Sequence, residues 1–179
     1  MTPKDKPINM NLSLIRLLRW STLIAILFIF NGCYSLKGIA IDPETNTFYV
    51  ATFENTSNNV VPNLDQDFTE ALREKIRDNS RLRFTDIEPD IEFSGAITSY
   101  RITAQAPEAG ETVSFNRLTI NVSVDYVNNK KDDDKWTKTF SFFENFEASQ
   151  NVLDIQDDLI QSINTELVER IFNDAFTSW

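Results

Sequence analysis

The chain has no histidine at all, only one cysteine and four glycines in 179 residues. Without histidine, neither a Ser-His-Asp triad nor a Cys-His pair can be assembled, and the commonest zinc ligand is missing. One cysteine excludes an intramolecular disulfide. The few glycines leave neither a dinucleotide-binding fingerprint nor a phosphate-cradling P-loop. Basic residues are also scarce, 17 Lys and Arg against 27 Asp and Glu, for a formal net charge of −10. Nucleic-acid binding draws most of its affinity from a basic patch, so that class is disfavoured.

A long apolar run is lacking as well. Trp20 to Phe30 is apolar over 11 residues, whereas a spanning helix needs roughly 20. Lys4, Lys6, Arg16 and Arg19 precede it against a single acid, Asp5, which makes it the apolar region of an export signal. Phe30-Asn31-Gly32-Cys33 follows, with a small residue directly before the only cysteine. This resembles the lipobox of bacterial lipoproteins, although Phe30 and Asn31 stand where Leu and Ala or Ser are usual. The resemblance implies that residues 1–32 are a signal peptide to be removed and that Cys33 is the lipidated residue. The other reading of Cys33 is a free cysteine buried behind a signal anchor. Lipidation has a physical purpose, since two or more acyl chains hold a soluble domain stably at a membrane where one does not.

Removing residues 1–32 leaves 147, enough for one domain with a real core. Those residues keep 13 basic and 26 acidic side chains, a net −13, which argues against lying flat on an anionic leaflet. Residues 33–46 read as a lipidated tether, with turn formers at Asp42-Pro43 and Asn46. A single α+β domain over 47–179 is expected from the patterns that follow.

Phe48 to Phe53 reads as a strand. Asn63 is placed to cap a helix from Leu64, along which Leu64, Phe68, Leu72 and Ile76 form one apolar stripe ending at Asn79-Ser80. Leu82 to Ile87 is a short strand. Between Ile91 and Ala104 the apolar residues change parity, from Ile91, Phe93 and Ile97 to Tyr100 and Ile102, which requires a β-bulge near Thr98-Ser99. Leu118, Ile120, Val122, Val124 and Tyr126 alternate with Thr119, Asn121, Ser123 and Asp125, so one face of that strand is buried and the other wet. Asn128 to Lys135 is a charged hairpin turn. The returning strand buries Trp136, Phe140, Phe142 and Phe146. A last helix starts near Asp154, with Asp157 and Asp158 in its first turn and a stripe from Ile155 to Ala175. The order β-α-β-β-β-β-α predicts a two-layer sandwich: two helices on one face of a four- to five-stranded, mostly antiparallel sheet.

Carboxylate chemistry finds no support in the spacing. Asp132-Asp133-Asp134 lacks the alternate spacing, glycine and terminal glutamate of a calcium loop. Glu144 and Glu147 are conceivable as a glycosidase pair, but no aromatic-lined cleft accompanies them. No catalytic residue, metal ligand or cofactor is assigned, and a binding role is expected.

Five segments together resemble the LptE-type lipopolysaccharide-assembly lipoproteins in the form found in Bacteroidetes. They are Cys33-Tyr-Ser-Leu-Lys-Gly38, Phe68-Thr-Glu-Ala-Leu72, Asn116-Arg-Leu-Thr-Ile120, Phe140-Ser-Phe-Phe-Glu-Asn-Phe146 and Ile171-Phe-Asn-Asp-Ala-Phe-Thr-Ser-Trp179. The resemblance implies a non-enzymatic lipoprotein at the outer membrane, facing the periplasm through its lipid anchor. Its partners would be lipopolysaccharide and a large LptD-like β-barrel, which it plugs and helps assemble. Lumens of such barrels are polar, so Asn121, Ser123, Thr137 and Thr139 are the expected barrel-facing residues. Lipid phosphates call for Arg or Lys, which directs attention to Arg117, Lys130, Lys131 and Lys135. The plainer reading of the three lysines is a solubilising loop, and of Arg117 a salt bridge. The alternative function is a free-standing periplasmic lipoprotein that binds a small apolar ligand or lipid.

Overall fold

The computed structural model describes residues 41–59, 61–106 and 113–177. The expected signal peptide, Cys33 and the expected tether up to residue 40 lie outside the described residues, as do the last two residues of the terminal motif. Six strands and two helices follow in the order β1 (Thr47–Val50), β2 (Glu54–Asn55), α1 (Leu64–Asn79), β3 (Arg83–Phe84), β4 (Ile91–Gln105), β5 (Phe115–Asn128), β6 (Lys135–Glu147) and α2 (Val152–Phe176). The α+β architecture stands as the sequence predicts.

Helix α1 forms where its apolar period demands, and Leu64, Phe68, Leu72 and Ile76 are each fully buried. Its start differs from expectation. Asn63 has φ 59°, in the left-handed region, and its side chain makes no capping bond. What it supplies is a turn: its carbonyl accepts from the N–H of Asp67 at 2.8 Å. Helix α2 begins two residues before Asp154. Its cap is Asn151, whose side chain accepts from the Leu153 N–H at 3.3 Å. Asp154 is therefore the acid in the first turn, where it suits the helix dipole, and Asp157 and Asp158 lie beyond it. The inner stripe holds Ile160, Ile163, Leu167, Val168, Ile171, Phe172 and Phe176.

The sheet runs β3-β1-β4-β5-β6, with β2 also paired to β4. It is mixed rather than mostly antiparallel, because β1 lies parallel to both β3 and β4, and β2 is parallel to β4. The connection explains this: β1 reaches β3 through α1, and a helical crossover returns the chain in the same direction. The strand expected over Phe48–Phe53 divides into β1 and β2. Between them Phe53 turns fully into the core, its N–H held by the Thr69 hydroxyl at 3.0 Å. The strand expected over Leu82–Ile87 shrinks to the two residues of β3, and Ile87 is 76% exposed.

Strands β4, β5 and β6 form a long antiparallel meander. The β4–β5 register shifts between Ile97 and Ser99, where the parity change requires a bulge. Phe93 and Ile97 before it, and Tyr100 after it, thereby reach the same core as Leu118, Ile120, Val122, Val124 and Tyr126. The outer strand β6 is paired with β5 on one side only.

Aromatic rings fill the space between helices and sheet. Phe53 and Phe68 meet edge-on at 5.0 Å, and Phe93 lies 5.3 Å from Tyr126 and 6.0 Å from Phe176. Burial, then the nearby Asp134 carboxylate, push the Tyr126 hydroxyl well above its ordinary value, so it stays protonated.

Candidate functional site

The helices cover one face of the meander, and the other face carries the candidate site. Strict alternation along β5 puts Leu118 to Tyr126 inward and forces Arg117, Thr119, Asn121, Ser123 and Asp125 outward. In the β5–β6 register Ser123 stands opposite Thr139, Asp125 opposite Thr137 and Asn121 opposite Ser141. The four residues expected to face a barrel, Asn121, Ser123, Thr137 and Thr139, are thus neighbours on one surface. The Thr137 hydroxyl donates to the Asp125 carboxylate across the pair. Asn121 and Ser123 are half-buried between the flanking strands, while Thr137 and Thr139 are exposed.

Strand β4 extends this surface with residues that the sequence reading did not single out. Ala96 pairs with Ser123, Ser99 with Asn121, Arg101 with Thr119 and Thr103 with Arg117. The signal was present in the parity change. Once the bulge is placed, Ser99, Arg101 and Thr103 must point away from the core. The result is a surface of hydroxyl, amide and small side chains across three strands, with the charged Arg101, Arg117 and Asp125 among them and Phe143 opposite Thr119.

The four basic candidates do not form one patch. Lys130 and Lys131 belong to the β5–β6 turn and Lys135 opens β6 opposite Val127, whereas Arg117 lies ten residues from Val127 along β5, about 34 Å away at the usual strand rise. Two of the lysines hold ion pairs: Lys130 with Asp90 at 3.1 Å and Lys131 with Asp42 at 2.9 Å. Burial alone would raise the Asp90 carboxyl, but the Asn46 N–H, the Lys130 ammonium and the Thr47 N–H together hold it below the usual carboxylate range. The N–H of Glu44, with Lys131 second, does the same for Asp42. Arg117 donates from Nε to Asn145 Oδ1 at 2.9 Å and lies 3.9 Å over the Phe143 ring. It contacts no carboxylate among the described residues.

No helix among the described residues is long and apolar enough to cross a membrane. A cavity of about 590 Å³ lies between the two helices rather than beneath them.

Comparison with curated proteins finds no match. Among solved structures, a putative neuraminyllactose-binding hemagglutinin homolog from Helicobacter pylori superposes with a TM-score of 0.52 at 10% identity, over 79% of this chain and 89% of that one. The hypothetical protein CT253 from Chlamydia trachomatis superposes at 0.50 and 9% identity, over 72% and 96%. The rare lipoprotein B from Shewanella oneidensis gives 0.48 at 12% identity, over 72% and 92%. At such identities the first two likenesses concern the fold alone. The sequence itself is more specific: the family model for lipopolysaccharide assembly, LptE, matches residues 45–175, nearly all of the described chain. The protein belongs to the LptE lipopolysaccharide-assembly family.

Proposed function

We propose that this family member is a non-enzymatic outer-membrane lipoprotein, anchored through Cys33 and facing the periplasm. It acts there as plug and assembly partner of the β-barrel that inserts lipopolysaccharide. The observation that carries the reading is the polar face of β4, β5 and β6. A sheet face of Ser, Thr and Asn side chains is wet by construction, and barrel lumens are lined with polar groups of the same kind. Such a face suits a close, hydrated contact with a lumen wall. The alternative, a free-standing lipid carrier, needs a hollow between helices and sheet. That space holds the packed rings of Phe53, Phe68, Phe93 and Phe176, which leaves little for a ligand.

The four basic residues remain the proposed lipopolysaccharide contacts, with Arg117 the best presented. Its guanidinium is backed by Phe143 and has no carboxylate partner among the described residues, whereas Lys130 and Lys131 are partly held by acids.

A photo-crosslinker at Thr139 tests the central claim in intact outer membranes. The expected product is an adduct with a very large barrel protein, with labels on its inner wall. Adducts confined to small soluble proteins would overturn the plug reading.

A further inference from the structure

Strand β6 is the open margin of the sheet, and its peptide groups divide by parity. The Ala148 N–H donates to the Ser114 carbonyl at 2.8 Å, and the Asp134 carbonyl accepts from the Asn128 N–H at 3.0 Å, so even-numbered residues face β5. Odd-numbered residues therefore point their N–H and C=O groups away from it. Those of Glu147 are taken up by Gln150, through the carbonyl at 3.0 Å and the N–H at 3.2 Å. Thr137, Thr139, Ser141, Phe143 and Asn145 remain. Among the described residues only the Arg170 guanidinium approaches their peptide groups, 3.5 Å from the Ser141 carbonyl. That distance is beyond the usual range of a hydrogen bond, and a peptide N–H would displace it.

The side chains along this margin are self-complementary. Lys135 and Lys138 stand six and three residues before Ser141, and Glu144 and Glu147 three and six residues after it. An antiparallel copy of the strand, centred on Ser141, sets Lys138 opposite Glu144 and Lys135 opposite Glu147, each twice. The same register sets Phe140 opposite Phe142, rings only half-buried in one copy, and Thr139 opposite Phe143, which is 43% exposed. Charges on an open strand ordinarily oppose pairing. Here they discriminate between arrangements. A parallel course in register sets lysine on lysine, and an antiparallel shift of two residues sets Lys138 against the Phe142 or Phe146 ring. Parity agrees as well, because the centred register places odd residue against odd residue, where the outward peptide groups meet.

We infer that β6 pairs with β6 of a second copy of this chain about a twofold axis at Ser141. Five facing pairs, each exchanging two bonds, give about ten hydrogen bonds, and the interface is isologous. Opposite charges and facing aromatic rings are the cross-strand pairs that stabilise a sheet. Lys138 and Glu144 lie on the helix side of the sheet, in contact with Asp174 at 2.6 Å and Ser162 at 2.7 Å. Lys135 and Glu147 project from the polar side. The inference does not rest on the plug reading, which concerns the polar face rather than the edge of the sheet.

Sedimentation equilibrium of the full chain in mild detergent, over a roughly hundredfold range of concentration, should show a monomer–dimer equilibrium. Hydrogen exchange read by NMR should slow with concentration at the Thr137, Thr139, Ser141, Phe143 and Asn145 amides. Lys138→Glu should weaken the dimer about tenfold, since it sets acid on acid twice, and Glu144→Lys should do the same with bases. The double exchange, Lys138→Glu with Glu144→Lys, should return affinity to within about threefold of the wild type. Both single changes also remove a contact within the chain, to Asp174 or Ser162, so melting temperatures of the dilute variants separate lost pairing from lost fold. A double exchange that folds but does not recover pairing overturns the register. Dimers whose five amides exchange as fast as those of the monomer overturn the edge as the contact. A chain that stays monomeric throughout overturns the proposal and leaves the plug reading untouched.

Discussion

A methyl group at position 95 would begin 2.0 Å from the carbonyl oxygen of Ser123 and 2.8 Å from Phe53 Cε1. Gly95 also has φ +154°, which side chains rarely adopt. Neighbouring backbone cannot move aside within a paired strand, so Gly95→Ala should destabilise by roughly 2–4 kcal/mol, read as a lower urea midpoint. Asp90 makes a different single-residue contribution. Its carboxylate ties the N–H groups of Asn46 and Thr47, at 2.7 and 3.1 Å, to the Lys130 ammonium. The folded carboxyl titrates below its ordinary value of 3.8, so its stabilisation is complete above that pH and is lost as pH falls through the folded value. Thermal melts of the wild type should therefore fall in temperature below about pH 4. Asp90→Asn should melt lower at neutral pH and show a flatter acid limb; an unchanged limb would refute the role. Nothing in the sequence singles out Asp90, because its partners at Asn46 and Thr47 are more than forty residues away.

Two asparagines before helices look alike in sequence and act differently. Asn151 caps α2 through its side chain, so Asn151→Ala should cost about 1 kcal/mol. Asn63 contributes its backbone angle, so Asn63→Gly should leave stability nearly unchanged, while Asn63→Ala should cost about 1 kcal/mol. Denaturant titration of the three variants separates the roles; equal losses at Asn63→Gly and Asn63→Ala would restore side-chain capping there. Period and parity made the helices, the meander, the bulge and the polar face legible, because each is written in residues close along the chain. The parallel course of β1 was not legible. It depends on which neighbour a short strand selects, and Phe48 to Phe53 has apolar residues on both faces, so alternation marks neither. Nor was the brevity of β3, where apolar residues such as Ile87 continue past the last paired position. The polar face was legible in β5 and β6 but not in β4, where the bulge had to be carried through to the outward side chains.

At the scale of the molecule, the net charge of the residues from Cys33 onward leaves membrane attachment to the proposed lipid anchor. Cys33→Ser should abolish palmitate labelling and leave an uncleaved precursor in inner-membrane fractions. Normal fractionation with the outer membrane would contradict it. Lys130 and Lys131 need care in any binding study, since replacing either also removes an ion pair to Asp90 or Asp42. Such variants report on lipopolysaccharide only if their melting temperatures are compared with that of the wild type.

The outer strand β6 has a further consequence. Along its 13 residues, half of the peptide groups point away from β5 and are available to another chain. The Arg170 guanidinium occupies one such position, donating to the Ser141 carbonyl at 3.5 Å. Lys135, Lys138, Glu144 and Glu147 space charge along the rest. The protein is thus a template that its own charges keep from being copied in any register but one. At high concentration and high salt, where those charges are screened, irregular self-association should begin along this margin before the helices loosen.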